Sequence, residues 1–335
     1  MGYATAVRET WRHHELGSAA RELVPLARYA TLAASSHNTQ PWKFKLARGR
    51  ISILPDLSRR CPAVDPDDHH LYVSLGCAAE NLLLAARAAG LQGHISFDAS
   101  TSSVGVDLEA ASASRSALFE AIPSRQCSRA EYDGTELSAD ELRLLDEAGH
   151  SHGVSIMFLT AAKAKEQIAE YVARGNTVQF ADSRWAEELQ SWIRFSAREA
   201  VDTGDGLYGP VMGSPSVPRW LGKLFMRLGF SAQRQNRKDI QHIRSSGAIA
   251  VISSDADDQE HWIEAGRCYE RLALQAAALE LRTAFINQPV EVPALRPQFA
   301  AFLGIGNRRP DLVVRIGRGP EMPRSLRRRL EHVVV

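Results

Sequence analysis

The apolar positions change period several times along the chain, and each change marks an element. Leu23, Leu26, Ala27, Ala30 and Ala34 recur at helical spacing and predict a helix that runs into residues 35–42. Residues 42–46 then alternate apolar and polar, as a half-buried strand does. Residues 51–54 return as the second strand of a hairpin turned at Arg48-Gly49-Arg50. Leu71, Leu75, Ala78, Leu82 and Ala86 define a long helix ending at Gly90, with alanines that permit close packing. Residues 93–97 and 104–108 read as two further strands. A second unit starts near Arg115. It has a short helix at 118–122, a helix from Ser138 to Ala148 with an N-cap and an acidic first turn, and a strand at 154–159. Residues 163–195 read as mostly helical. An apolar strand follows at 247–253, a second alanine-rich helix at 262–281, a turn at 285–293, a short helix at 298–303, a last strand at 312–316 and a basic tail at 322–329.

Two features interrupt this alternation. Residues 201–246 hold Gly204, Gly206, Gly209, Gly213, Pro210, Pro215 and Pro218, then a short amphipathic piece around Trp220, then a polar basic run. A long irregular insertion in a compact domain is usually functional or disordered, and Trp220, Phe225 and Phe230 argue against disorder. The segment is expected to be a lid, with a passive surface excursion as the bland alternative. The second feature is a repeat. Gly76-x3-Glu80-x-Leu82-x-Leu84-x-Ala86-x-Ala88-x2-Leu91 recurs as Gly266-x3-Glu270-x-Leu272-x-Leu274-x-Ala276-x-Ala278-x2-Leu281. Each half reads helix, strand, alanine-rich helix, strand, which predicts an internal duplication. The expected division is an N-terminal extension at 1–20, a first half at 21–112 and a second half at 113–335 carrying the lid. The expected class is α+β, an antiparallel-dominated sheet with helices packed around it, duplicated within one chain.

Composition narrows the options. The 335 residues are 44% hydrophobic and 24% charged, with Lys+Arg 40 against Asp+Glu 39, so no nucleic-acid footprint appears. No apolar run reaches the ~20 residues of a membrane span. The first sixteen residues carry Arg8 and Arg12 and no apolar signal core, which predicts no export. Cys61, Cys77, Cys127 and Cys268 lie far apart without a CxxC pair, which predicts a reducing, cytoplasmic setting and no structural zinc. Asp65, Asp67, Asp68, His69 and His70 offer metal-ligand types. Adjacent histidines diverge at a helix start, however, and acids in a first turn favour the helix dipole, so no metal site is expected.

The densest chemistry is Ser35-Ser36-His37-Asn38-Thr39-Gln40-Pro41-Trp42. Pro41 stops the preceding helix, leaving hydroxyls and carboxamides off the tip of a helix-to-strand turn, where they suit a planar, polar-edged ligand. The alternative is a capped turn with a core tryptophan. The stretch resembles the Pro-Ser-x-x-Asn-Thr-Gln-Pro-Trp motif of the nitroreductase family. With His37 in the variable slot and this chain length, it is most similar to the Acg-like branch. The resemblance implies FMN binding by Ser35, Ser36 and Asn38, with Gln40 close by. Arg125-Gln126-Cys127-Ser128-Arg129 resembles the family's Arg-x-Ser-x-Arg motif, with Cys127 in the serine slot, where a hydroxyl to the phosphate is lost. Arg125 and Arg129, four apart, would share a face on a helical turn. Gln288-Pro289-Val290-Glu291 resembles the segment whose main chain faces the flavin ring. Arg324, and next Arg327 or Arg328, match a closing basic residue that reaches the phosphate; the alternative is a basic tail in water.

The two halves carry complementary motifs. The resemblance therefore implies one FMN per chain, a single chain standing in for the family homodimer, and no second copy needed for binding. No Gly-x-Gly-x-x-Gly element is present for an adenine dinucleotide. The implied activity is NAD(P)H-dependent reduction of a small nitroaromatic or quinone-like acceptor. The alternative is a protein that sequesters FMN beneath its lid with little turnover. No catalytic residue is named.

Overall fold

Residues 2–16 and 23–335 are described by a computed structural model. The end of the expected N-terminal extension, 17–20, and the first two residues of the expected first half, 21–22, lie outside them. The chain is α+β, and its strands form two main antiparallel sheets, one from residues 42–110 and one from residues 154–317. β1 (Trp42–Ala47), β2 (Arg50–Pro55), β3 (Leu91–Asp98) and β4 (Ser103–Ala110) make the first, in the order β1-β2-β4-β3. β5 (Val154–Leu159) comes next, then β6 (Ile193–Arg194) and β7 (Leu207–Tyr208), which pair with each other in parallel. β8 (Ala248–Ser254), β9 (Arg282–Phe285) and β10 (Arg309–Gly317) join β5 in the second sheet, in the order β5-β8-β10-β9. All pairs in both four-stranded sheets are antiparallel.

Between the sheets cross the two alanine-rich helices, His69–Ala88 and Gln259–Ala278. The first is buried around nearly its whole circumference, as a helix without a polar face must be. Their close approach depends on two glycines. A Cβ on Gly76 would lie 1.9 Å from the Ile263 carbonyl oxygen, and one on Gly266 would lie 2.0 Å from that of Val73. The contact is reciprocal: each glycine receives the backbone of the other helix. The glutamates aligned in the repeat are both buried against arginine. Glu80 Oε2 accepts from Arg267 Nε at 3.0 Å and Arg271 Nη1 at 2.7 Å, and Glu270 pairs with Arg125 at 3.1 Å.

Several elements differ from the sequence expectation, and the differences position the site. The first helix of the motif region is Val24–Thr31, so it ends ten residues before Pro41 and the proline is not what stops it. Residues 201–246 are largely helical, with helices Arg219–Gly229 and Ala232–Arg244. Their first part belongs to the body, because Asp205, Leu207, Tyr208 and Val211 are buried. Residues 163–195 hold two helices, Ala162–Ala181 and Ser183–Trp192. The expected turn at 285–293 contains a short helix, Gln288–Glu291. The basic C-terminal stretch is not a tail in water. It runs from the second half onto the edge of β1, where Phe44 N–H donates to the Val333 carbonyl at 2.7 Å and Val335 N–H to the Phe44 carbonyl at 2.9 Å. That crossing lays residues 324–328 against the 35–40 turn.

Candidate functional site

Three non-glycine residues of the turn have left-handed backbone: His37 (φ 48°), Asn38 (φ 55°) and Gln40 (φ 54°). Such a cluster costs conformational energy and persists only where the surroundings hold it. The carboxamides do the holding. Asn38 Nδ2 donates to the carbonyls of Gly206 (3.0 Å) and Leu326 (3.1 Å), and its Oδ1 accepts from Arg327 Nη1 (3.0 Å). Gln40 Nε2 donates to the Gly204 carbonyl at 2.9 Å, and its Oε1 accepts from Arg328 N–H at 2.8 Å. Ser35 Oγ accepts from Gln40 N–H at 3.1 Å. The amides thus tie the turn to residues 204–206 and 326–328 rather than pointing off its tip. What the turn offers a ligand is Ser36, whose hydroxyl has no partner among the described residues, and His37, whose Nδ1 is buried without one.

The turn stands between two cavities that share Ala34, Ser35, Arg129 and Phe285 as wall. The larger, about 270 Å³, has Ser36, His37, His70, Gln288 and Glu291 on one side and Phe180, Trp185 and Phe230 on another. The smaller, about 60 Å³, is lined by Arg125, Arg129, Arg324 and Arg327 together with Asn38, Cys127 and Trp11. Arg125 and Arg129 reach it from a segment that is not helical; Cys127 forms a parallel bridge with Thr283, and extended backbone brings residues 125, 127 and 129 to one side. Of the residues expected to bind, Gln40, Pro289 and Val290 line neither cavity. Gln40 is fully buried in the contacts above, and Pro289 and Val290 are buried in the short helix from which Glu291 reaches the larger cavity. Arg328 also lines neither; its guanidinium donates to the Gln40 carbonyl at 3.2 Å and lies 3.5 Å from Asp56.

The charge of the smaller cavity is its clearest property. No carboxylate lines it among the described residues. Arg125 is committed to Glu270, and Arg324 donates to the carbonyls of Pro123 and Ser124. Arg327 donates to Thr31, Leu32 and Ala33 carbonyls at 2.9, 3.1 and 3.0 Å, which are the open end of the helix Val24–Thr31. Burial, and then the neighbouring Arg125, bring the Arg327 guanidinium down to about 9. Arg129 has neither an ion pair nor a hydrogen bond to protein among the described residues. The Arg324 and Arg327 guanidinium carbons stand 5.2 and 4.7 Å from the Trp11 ring centroid. This is a compressed set of cations, and an anion with several oxygens would relieve it.

The larger cavity has Arg129 and Lys238 in its wall, but its imidazoles are neutral. Burial, reinforced by Arg129, lowers His37 to about 4, and burial with Arg309 lowers His70 to about 3, so both imidazoles are uncharged at neutral pH. Burial raises the Glu291 carboxyl from 4.5 to about 7, although Gln179 Nε2 donates to it at 2.6 Å. The folded protein therefore keeps this proton where the unfolded chain loses it, and stability falls as pH rises from about 4.5 to about 7. Glu291→Gln keeps the shape and removes the titration. Relative to the wild type, the variant should gain stability between about pH 5 and about pH 8, as measured by urea denaturation at both. An equal difference at the two pH values contradicts this assignment.

Asp65, His69 and His70 do bring ligand-type atoms within 4.8 Å of one another. Asp65 caps the helix that begins at His69, accepting from His70 and Leu71 N–H at 3.0 and 3.1 Å, and His69 Nε2 is bonded to Asp311 at 2.9 Å. These atoms serve the helix start and the core. Sequence reading missed Trp11, Asn176, Gln179, Trp185 and Lys238 as wall residues. Asn176 and Gln179, three apart on the buried side of a helix, carried a readable signal. Trp11, in the expected N-terminal extension, carried none.

No family profile matches the chain. Two Mycobacterium tuberculosis proteins, from strains CDC 1551 and H37Rv, are assigned by name to the NAD(P)H nitroreductases. Each is 25% identical over 328 residues, spanning 91% of this chain and 88% of its own length. Among solved structures, the chain is similar to a Bacteroides fragilis nitroreductase with bound FMN (16% identity, TM-score 0.38, 61% of this chain and 88% of that one). It is also similar to an FMN-dependent nitroreductase from Mycobacterium smegmatis in complex with NADPH (14% identity, TM-score 0.40, 61% and 87%).

Proposed function

We propose that this chain is an FMN-dependent oxidoreductase of the nitroreductase family that draws electrons from NAD(P)H and reduces a small nitroaromatic or quinone-like acceptor. The observation that carries the reading is the smaller cavity, where four arginines meet with no carboxylate in the wall and Arg129 unpaired among the described residues. The residues present fit FMN. Arg129, Arg324 and Arg327 would hold its phosphate, and Cys127 stands where a hydroxyl would have added one contact. Ser36, the unpartnered His37 Nδ1 and the unpartnered buried Gln288 Oε1 would meet the polar edge of its ring. Bound there, FMN would supply hydride exchange with nicotinamide and acceptor. The chain's own part is to position the ring between its two halves and to exclude water. Phe180, Trp185 and Phe230 do the latter on one wall.

The purified protein should be yellow and release FMN on denaturation; FAD in the mass spectrum, or a colourless protein that binds no added FMN, would overturn the reading. Arg129→Ala should weaken FMN binding by about 1.5–3 kcal/mol, roughly 10- to 150-fold in Kd, measured by flavin fluorescence titration. A change below about threefold would move the phosphate elsewhere.

A sequestering role is favoured by one observation. Met212, Phe230, Gln235 and Lys238, all from residues 201–246, line the larger cavity, so this segment stands as a cover on it. Gly222→Val should pry that cover loose, because even a Cβ there would lie 2.0 Å from the Phe195 ring. Anaerobic flavin reduction by NAD(P)H that is fast in the wild type supports the enzyme. Reduction that becomes fast only in the variant supports sequestration.

A further inference from the structure

The helix Arg219–Gly229 has three differently composed sides. Gly222, Met226 and Gly229 face the body, with the Phe195 ring packed where a Gly222 side chain would be. Lys223 and Arg227 form an adjoining cationic flank, at whose start Arg219 pairs with Glu199 at 3.1 Å. The remaining arc carries Trp220, Leu224, Phe225 and Leu228, which are 70, 42, 52 and 75% exposed. An amphipathic helix on a globular protein ordinarily turns its apolar stripe to the core. This one turns it outward, and a contiguous exposed apolar face marks an interaction surface.

Charge selects the occupant. From Gly206 to Lys238 the chain has six lysines and arginines and no aspartate or glutamate, although the whole chain has a formal net charge of only +1. Lys223, Arg227, Arg234 and Arg237 are exposed and have no carboxylate partner among the described residues. A second copy of the same helix would set cations against cations. Tryptophan, phenylalanine and leucine on one face, with lysine and arginine beside them and no acid, is the composition of a helix lying in a lipid interface. We infer that this helix docks the protein on an anionic membrane surface. Its apolar arc enters the acyl boundary, and the flanking cations meet phosphate headgroups. Met212 before the helix and Phe230 after it both line the larger cavity, so docking places that cavity beside the lipid.

The test is cosedimentation of the full chain with vesicles of phosphatidylcholine alone or mixed with phosphatidylglycerol. The protein should pellet with the mixed vesicles, stay in solution with phosphatidylcholine alone, and be released by added salt. Leu224→Asp with Leu228→Asp should abolish pelleting while leaving the thermal midpoint unchanged, since both positions are exposed. Lys223→Glu with Arg227→Glu should weaken it severalfold. Trp220→Ser repeats the apolar test at a single exposed site. A wild-type protein that ignores anionic vesicles overturns the inference, as does binding that survives the leucine replacements. A dimer in size-exclusion chromatography that the leucine replacements dissociate would assign the face to a second copy. Copurification of a protein partner released by the same replacements would assign it to that partner; either overturns membrane docking.

Discussion

Replacing Glu270 with alanine is expected to destabilise the fold by roughly 3–5 kcal/mol, the range for breaking a buried ion pair by removing one partner. Glu270 is completely buried and Arg125 almost so, with 3.1 Å between carboxylate and guanidinium. The carboxylate also accepts the Ala34 N–H at 3.4 Å, at the entry to the 35–40 turn. Its loss leaves Arg125 buried without compensation and adds it to the uncompensated Arg129, Arg324 and Arg327. Two consequences separate this account from a simple cavity effect. Removing both charges, as Glu270→Leu with Arg125→Met, should cost less than Glu270→Ala alone. Inorganic phosphate should stabilise Glu270→Ala more than the wild type, because an anion in the smaller cavity then relieves four cations rather than three. Urea denaturation with and without phosphate measures both. A loss within about 1 kcal/mol of the wild type would show that water reaches the pair.

What the sequence disclosed depended on whether one element alone determined it. The two alanine-rich helices and the hairpin 42–55 were legible because burial periodicity is local. The turn at 35–40 was legible as a special place, but not what its amides do. Asn38 and Gln40 bond to Gly204, Gly206, Leu326 and Arg328, which are distant in sequence, and no local pattern announces that. The same holds for the C-terminal arginines. By composition alone a run of basic residues could equally be a solvated tail; the crossing to β1 puts Arg327 on the carbonyls at the end of the first motif helix. Residues 201–246 misled through composition, since glycine and proline concentrated at 204–218 masked the two helices that follow. The contribution of Trp11 was illegible, because it depends on where Arg324 and Arg327 arrive.

Gly76→Ala should cost an amount comparable to Glu270→Ala, above about 3 kcal/mol, although alanine in a helix interior ordinarily gains about 0.5–1 kcal/mol over glycine. The new methyl would sit 1.9 Å from the Ile263 carbonyl oxygen and 2.8 Å from its carbon. Both are backbone atoms inside a helix, so no side-chain rotation relieves the overlap. The helices His69–Ala88 and Gln259–Ala278 must separate, and overpacking that displaces backbone reaches or exceeds the usual 1–3 kcal/mol. Gly266→Ala should cost a similar amount by its mirror contact with Val73. Because one separation relieves both overlaps, the double variant should lose clearly less than the sum of the single losses. The effect should extend to binding. Val73, Ser74 and Cys77 flank Gly76 and line the larger cavity, so a variant that still folds should hold FMN more weakly than its stability alone explains. Urea denaturation of the two single variants and the double variant, with flavin titration of each, tests the chain from packing to site. Strict additivity would mean that the two glycines relieve independent contacts, and a stabilised Gly76→Ala would mean that the helices already have room to part.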